Sequence, residues 1–228
     1  MTRALVQPVT DCIDPRIEPG ELRFRFGTGR PCLDLVITVG ERWRRSFERL
    51  RSTDDLARWL VRAGLARTPP PVSATDLADA HELREAIFRI ARAAMDGRPA
   101  PRAAVRTVNA WASLPDLAPR FDRIGGGVRR SDPATVSAAL ATLARDAADL
   151  FGGPNAGRIR ECSAPDCSSL FLDASRAGRR RWCSMATCGN RQKVAAYRRR
   201  MTSADAPGRP PHSPLERSSH DRAAARRA

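Results

Sequence analysis

CSAPDCSSLFLDASRAGRRRWCSMATCGNR, residues 162–191, carries four of the chain's six cysteines. They stand as two pairs, Cys162-x4-Cys167 and Cys183-x4-Cys188, fifteen residues apart. A tight turn can close each pair, and the gap suits a β-hairpin. Two close pairs of reduced thiols supply the soft ligands of a tetrahedral structural site, so one Zn2+ is the predicted cofactor. The x4 spacing is wider than the common x2 knuckle. An iron–sulfur cluster also takes four cysteines, but its usual spacings differ. Isolated core thiols would have no reason to pair within 27 residues, and disulfides require an oxidising compartment. Cys32 reads as a small core residue and Cys12 as incidental.

The surroundings of the cysteines extend this reading. Ser169-Leu170-Phe171-Leu172-Asp173 predicts a strand, with Phe171 beneath the metal. Arg176–Arg180 turns the chain with help from Gly178, and Trp182 shields the site. Arg191–Arg200 holds helix formers without a breaker. A ligand at a helix N-terminus gains from the dipole, which favours thiolates. Four thiolates around Zn2+ leave two negative charges uncompensated, and nearby arginines offset them. That accounts for two or three arginines, whereas residues 175–200 hold nine basic side chains and no acid. Arginine pairs bidentately with phosphate and with guanine, and a small zinc module presenting a basic helix is a common reader of DNA. The candidate nucleic-acid contacts are Arg179, Arg180, Arg181, Asn190, Arg191, Lys193, Arg198 and Arg199. The competing reading is a solvated basic face or a protein-binding knuckle.

Bulk properties point the same way. The chain has 228 residues, 42% of them apolar, enough for a packed core. No apolar run reaches membrane-spanning length, and the first twenty residues lack the apolar region of a signal peptide. A cytoplasmic, nucleoid-associated chain is expected. The formal net charge is +15, which favours a polyanionic partner, double-stranded DNA first. Lys193 is the only lysine, so part of the arginine content reflects a GC-rich genome. Distribution says more than the total: residues 1–150 carry 24 basic and 19 acidic side chains, residues 151–228 carry 16 and 6. The excess charge sits with the cysteines.

The rest of the chain predicts a mainly helical domain with a short β element. Glu21–Phe26 alternates apolar and polar residues, as a strand does, up to Gly27-Thr28-Gly29. GTGRPC lacks phosphate-loop spacing, so it gives no nucleotide site. Leu33, Val36, Ile37 and Gly40 fit a helix. Ser52-Thr53-Asp54-Asp55 opens another, closed by Gly64. Thr75-Asp76 starts a third, with Leu83, Ile87 and Ile90 in its apolar stripe and Gly97 as its stop. A shorter helix follows over Ala103–Trp111. Arg120–Arg130 reads as a loop or weak hairpin. Asp132-Pro133 offers a cap for a last helix running to Gly152-Gly153-Pro154. Trp43, Trp59 and Trp111 read as core or near-core. Glu82 and Glu85 flank Arg84 on what reads as a solvated face, and His81 has no catalytic setting. The segments are 1–20 (flexible), 21–152 (helical domain), 158–200 (a four-cysteine zinc finger, β-hairpin then α-helix) and 201–228 (a disordered basic tail with His212 and His220).

Cys188-Gly189-Asn190-Arg191 spells C-G-N-R. With Cys162, Cys167 and Cys183, Phe171-Leu172-Asp173 and Arg180–Met185, it closely resembles the CGNR zinc finger over about residues 158–200. Cys32-Leu33-Asp34-Leu35-Val36, the Asp-Leu-x-x-Trp-Leu pattern within Ser52–Leu65, Leu83–Ile87 and Asn109 resemble that finger's partner domain, ABATE. Where the family has Asn-Thr, this chain has Ile37-Thr38. The family is described as stress-induced transcription regulators, mostly bacterial. The resemblance implies a DNA-binding finger joined to a regulatory helical domain that senses a ligand or protein partner or forms a homodimer. Four cysteines fill a metal's coordination sphere and no nucleophile–base set is present, so no enzyme is expected. The rivals are a zinc-stabilised protein-interaction module, with arginines on an acidic partner, and RNA binding, for which Tyr197 and Trp182 are the only nearby stacking rings.

Overall fold

The computed structural model describes residues 17–121, 123–127, 129–130 and 134–204. They fall into two units, one ending at Arg191 and one starting at Gln192. The first contains five helices, α1 (Pro31–Val36), α2 (Thr53–Arg62), α3 (Ala74–Met95), α4 (Arg102–Ala112) and α5 (Val136–Gly152). Three antiparallel strand pairs accompany them: β1 (Val39–Gly40) with β2 (Phe47–Glu48), β3 (Pro119–Arg120) with β4 (Arg129–Arg130), and β5 (Ile159–Glu161) with β6 (Leu170–Leu172). The mainly helical class with a small β element is observed. Helix α6 (Asn190–Ala204) begins at the end of the first unit and supplies the described part of the second.

Local chemistry explains most helix ends. Ser52 accepts the amide of Asp55 while Asp55 accepts the amide of Ser52, so two unpaired donors at the start of α2 are satisfied together. Ser73 and Asp76 do the same for α3, two residues ahead of the expected start. Helix α1 stops early: Ile37 leaves helical geometry and the chain enters β1 at Val39. Thr135 caps α5 through the amide of Ala138. The expected cap, Asp132-Pro133, lies outside the described residues, as do Cys12, His212, His220 and most of both terminal segments.

The large core forms where α3, α4 and α5 pack together and α1 closes over α3 and α5. Trp59, Leu60, Leu83, Ile87, Leu140 and Leu143 lie at its centre, fully buried, with Trp111 at its margin. Cys32 is buried there too. Ile159, Leu170 and Leu172 also belong to this core, so the β5–β6 hairpin is fastened to the helices by its own side chains. Backbone bonds reinforce the seam: the Leu172 amide donates to Thr28 O at 2.7 Å. Gly29 makes this approach possible, since its φ is +94° and a Cβ would lie 3.2 Å from Leu172 Cβ.

Four expectations from local pattern fail. Residues 21–26 form no strand, because no neighbouring chain offers them a ladder; Phe24 and Phe26 instead pack on the core, Phe26 stacked with Trp59. Trp43 is 58% exposed, lying over Phe88 with Arg92 above its ring. Arg84 is only 5% exposed, and three of its partners come from across the fold or beside it: Glu48, Thr38 and Glu85. Glu85 in turn pairs with Arg42, leaving only Glu82 on the solvated face. Lastly, the hairpin does not fill the gap between the cysteine pairs. Strand β6 pairs back with β5, so the loop between them holds the first pair.

Candidate functional site

Cys162 and Cys167 occupy the β5–β6 loop. The Cys162 amide donates to Ser169 O and the Cys167 amide to Ala164 O, each at 3.0 Å, which closes the turn. Cys183 is brought in when the Ser163 amide bonds Arg181 O at 2.9 Å. Its own amide points at Cys162 Sγ, 3.4 Å away. Cys188 follows in the helical turn Met185–Gly189, capped by Ser184, that runs straight into α6. Gly189 is buried beside the ligand: a Cβ there would lie 2.9 Å from Sδ of the exposed Met185 and 3.2 Å from Trp182, so the Met185 side chain would have to move aside.

All four sulfurs lie within 4.8 Å of one another. Cys167 and Cys183 are separated by 3.8 Å and Cys183 and Cys188 by 3.6 Å. A tetrahedron with Zn–S bonds of about 2.3 Å has edges of about 3.8 Å, so the donor set and its size both fit zinc. Before any cation enters, hydrogen bonds shared among the thiols, that from Cys162 foremost, hold Cys167 down to about 6 and draw Cys188 far lower. The same sharing pushes Cys162 and Cys183 up. A bound Zn2+ would keep all four as thiolates.

A second core surrounds the sulfurs: Phe171 and Ala164 are buried, and Trp182 packs against them. Phe171 is fully buried beneath the cysteines, as expected from the sequence. Arg191 ion-pairs with Asp166 at 2.6 Å and reaches Cys188 Sγ at 3.3 Å. Arg180 stacks on Phe171 and donates to the carbonyls of Trp182 and Cys183. These two arginines supply positive charge where thiolates leave an excess of negative. Arg181 lies over the Trp182 ring. Arg176, Arg179, Asn190, Lys193, Arg198 and Arg199 are exposed.

Four residues to which the sequence reading assigns no role of their own also build the site. Asp166 was hidden inside the x4 spacer, and only its fold-dependent partner reveals it. Asp173 is fully buried and accepts from the Ser175 hydroxyl, the Ser175 amide and the Arg180 amide. Those bonds, the Ser175 hydroxyl first, hold its carboxyl below the usual range. The Asp-x-Ser string is a readable signal for such a turn. Ser168 and Glu161 tie the finger to the helical core: Ser168 Oγ accepts the Arg42 amide at 2.9 Å, and Glu161 pairs with Arg92 at 2.7 Å and accepts from Trp43 Nε1.

His81 is committed to structure, its Nε2 lying 2.9 Å from Leu50 O. Burial, joined by the charge of Arg84, lowers its affinity for a proton. Ile37 is buried, and its carbonyl accepts from the buried Arg49.

The fold and the sulfur cluster define a zinc-finger protein in which a four-cysteine site of structural type is built onto a helical domain. Comparison with protein families matches residues 29–154 to ABATE, described as “Putative stress-induced transcription regulator”, and residues 158–201 to the CGNR zinc finger. The first match alone spans more than half of the chain, and the chain belongs to the ABATE family. No curated protein matches it. Both matched families are regulatory or zinc-finger families, not enzymatic ones. Among the described residues, no helix is long and apolar enough to cross a membrane.

Proposed function

We propose that this chain is a bacterial transcription regulator whose zinc-organised finger, residues 158–200, binds double-stranded DNA. The observation that carries this reading is a surplus of charge. Residues 175–200 hold nine basic side chains and no acid, while the zinc centre draws in only Arg180 and Arg191. Arg176, Arg179, Lys193, Arg198, Arg199 and Arg200 lie exposed on either side of it along the chain. Such a concentration serves a phosphate backbone. Arg179, Arg181, Asn190, Lys193, Arg198 and Arg199 are the proposed contacts, with Arg180 and Arg191 acting through the shape of the finger. Zinc contributes no chemistry beyond holding the four thiolates in place.

The helical part, residues 21–152, is proposed to sense a ligand or protein partner or to form a homodimer. Its route to the finger is the seam at Arg42–Ser168 and Arg92–Glu161. A cytoplasmic, nucleoid-associated location accords with such a role.

Selection of bound duplexes from a random pool by the zinc-loaded full chain, at near-physiological salt, tests the proposal. A short enriched motif, bound more weakly by the Arg179→Ala/Lys193→Ala double variant with its zinc retained, is expected. No enrichment, with binding that vanishes as salt rises, would leave only a non-specific phosphate grip. An acidic protein partner would then become the better reading.

A further inference from the structure

Helix α6 has a face that neither the zinc centre nor simple phosphate attraction explains. Val194, Tyr197 and Met201 are all large apolar side chains exposed to water. At 3.6 residues per turn they fall within an arc of about 60°. Lys193 and Arg198 lie about 40° outside that arc, one on each shoulder. From Asn190 to Ala204 the helix carries five basic residues and no acid. Burying the strip against a second copy of α6 would bring like charges together along both edges, which opposes self-pairing. An apolar ridge between two cationic shoulders is complementary to a groove with methyl groups on its floor and phosphates along its walls. The major groove of duplex DNA is such a groove: it admits an α-helix, and the thymine C5 methyl is the apolar group displayed there.

We propose that Val194, Tyr197 and Met201 form the base-reading face of α6, recognising thymine methyl groups in the major groove while Lys193 and Arg198 face the two phosphate strands that border it. The proposal rests on the DNA-binding reading above and assigns its sequence preference. It makes the preferred sites rich in thymine and divides the work of the helix. The ridge sets which sequence is bound, and the shoulders set how tightly any sequence is bound.

Replacing thymidine by deoxyuridine throughout a selected duplex removes the methyl groups and leaves every hydrogen-bonding edge intact. The zinc-loaded full chain should bind the deoxyuridine duplex about fourfold more weakly for each methyl group it covers. Val194→Ser and Met201→Gln, with zinc content unchanged, should shrink that difference toward none. Lys193→Ala should weaken both duplexes alike and lower the salt slope by about one. Equal binding of the two duplexes, despite an enriched motif, overturns the assignment of this face and leaves DNA binding standing. Salt-labile binding without any motif overturns it as well. Failure to bind any duplex overturns both this proposal and the reading beneath it.

Discussion

The two cores of the first unit are separated by the width of one strand and held by different chemistry. Leu170 and Leu172 point into the helical core, while Phe171 between them points into the finger. This is the alternation any β-strand imposes, used here to serve two interiors at once. The helical core is sealed by aliphatic side chains, each contributing about 1.5–3 kcal/mol on burial. The finger surrounds its sulfurs with little more than Phe171, Ala164 and Trp182. Ordering a residue costs about 1–2 kcal/mol in backbone entropy, so an apolar cluster this small cannot order the cysteine-bearing segments on either side of β6, residues 162–168 and 174–191, alone. Structural zinc contributes about 10–16 kcal/mol in comparable fingers. One core folds on its own account, and the other is conditional on a metal.

Removing a ligand should expose that difference most sharply. Cys183→Ser is expected to abolish zinc binding and the amide-exchange protection of residues 162–168 and 174–191 while protection persists in α2, α3 and α5. Hydrogen exchange with parallel zinc analysis checks this, and loss of protection throughout would show one cooperative unit instead. Next in size is a pair of neighbouring truncations. Leu170→Ala should lower global stability by about 2–5 kcal/mol in denaturant titration. Phe171→Ala should act chiefly on zinc affinity in chelator competition. Similar profiles for the two would erase the division between the cores.

A smaller effect concerns acid. The Asp173 carboxyl sits below its ordinary value in the fold, so it contributes stability that is present above the ordinary carboxylate range and is lost as pH falls through its lowered value. Asp173→Asn should flatten the acid limb of the finger's stability curve without moving that of the helices. Smallest is Ser52→Ala, which removes one cap of α2 and should cost the helical core about 1 kcal/mol with no change in zinc affinity. A change in zinc affinity there would mean that the seam at Ser168 and Glu161 transmits more than position.

What the amino-acid order revealed depended on how local the governing chemistry is. The Ser52 cap and the Gly64 and Gly97 stops act within a turn, and the bounds of α2 and α4 were legible to within a residue or two. The zinc set was legible because ligand spacing is itself a local rule. Trp43 and Arg84 were misread because their surroundings come from elsewhere: Phe88 and Arg92 for one, Glu48 for the other. The alternation in residues 21–26 was real, but a strand needs a partner that no local pattern names. The pairing of β6 with β5 around the first cysteines lay beyond the same horizon. So did Asp166, whose partner Arg191 is 25 positions away in the chain.

The shared strand β6 also settles how this finger can be handled. A fragment cut at residue 158, where the family boundary falls, would carry Ile159, Leu170 and Leu172 out of the helical core and into water. Even fully loaded with zinc, such a peptide would present an adhesive apolar flank and would self-associate or cling to surfaces. An isolated finger would therefore report on a sticky surface that the intact protein never shows, and a graft onto another scaffold would succeed only if the host supplied a matching apolar seat.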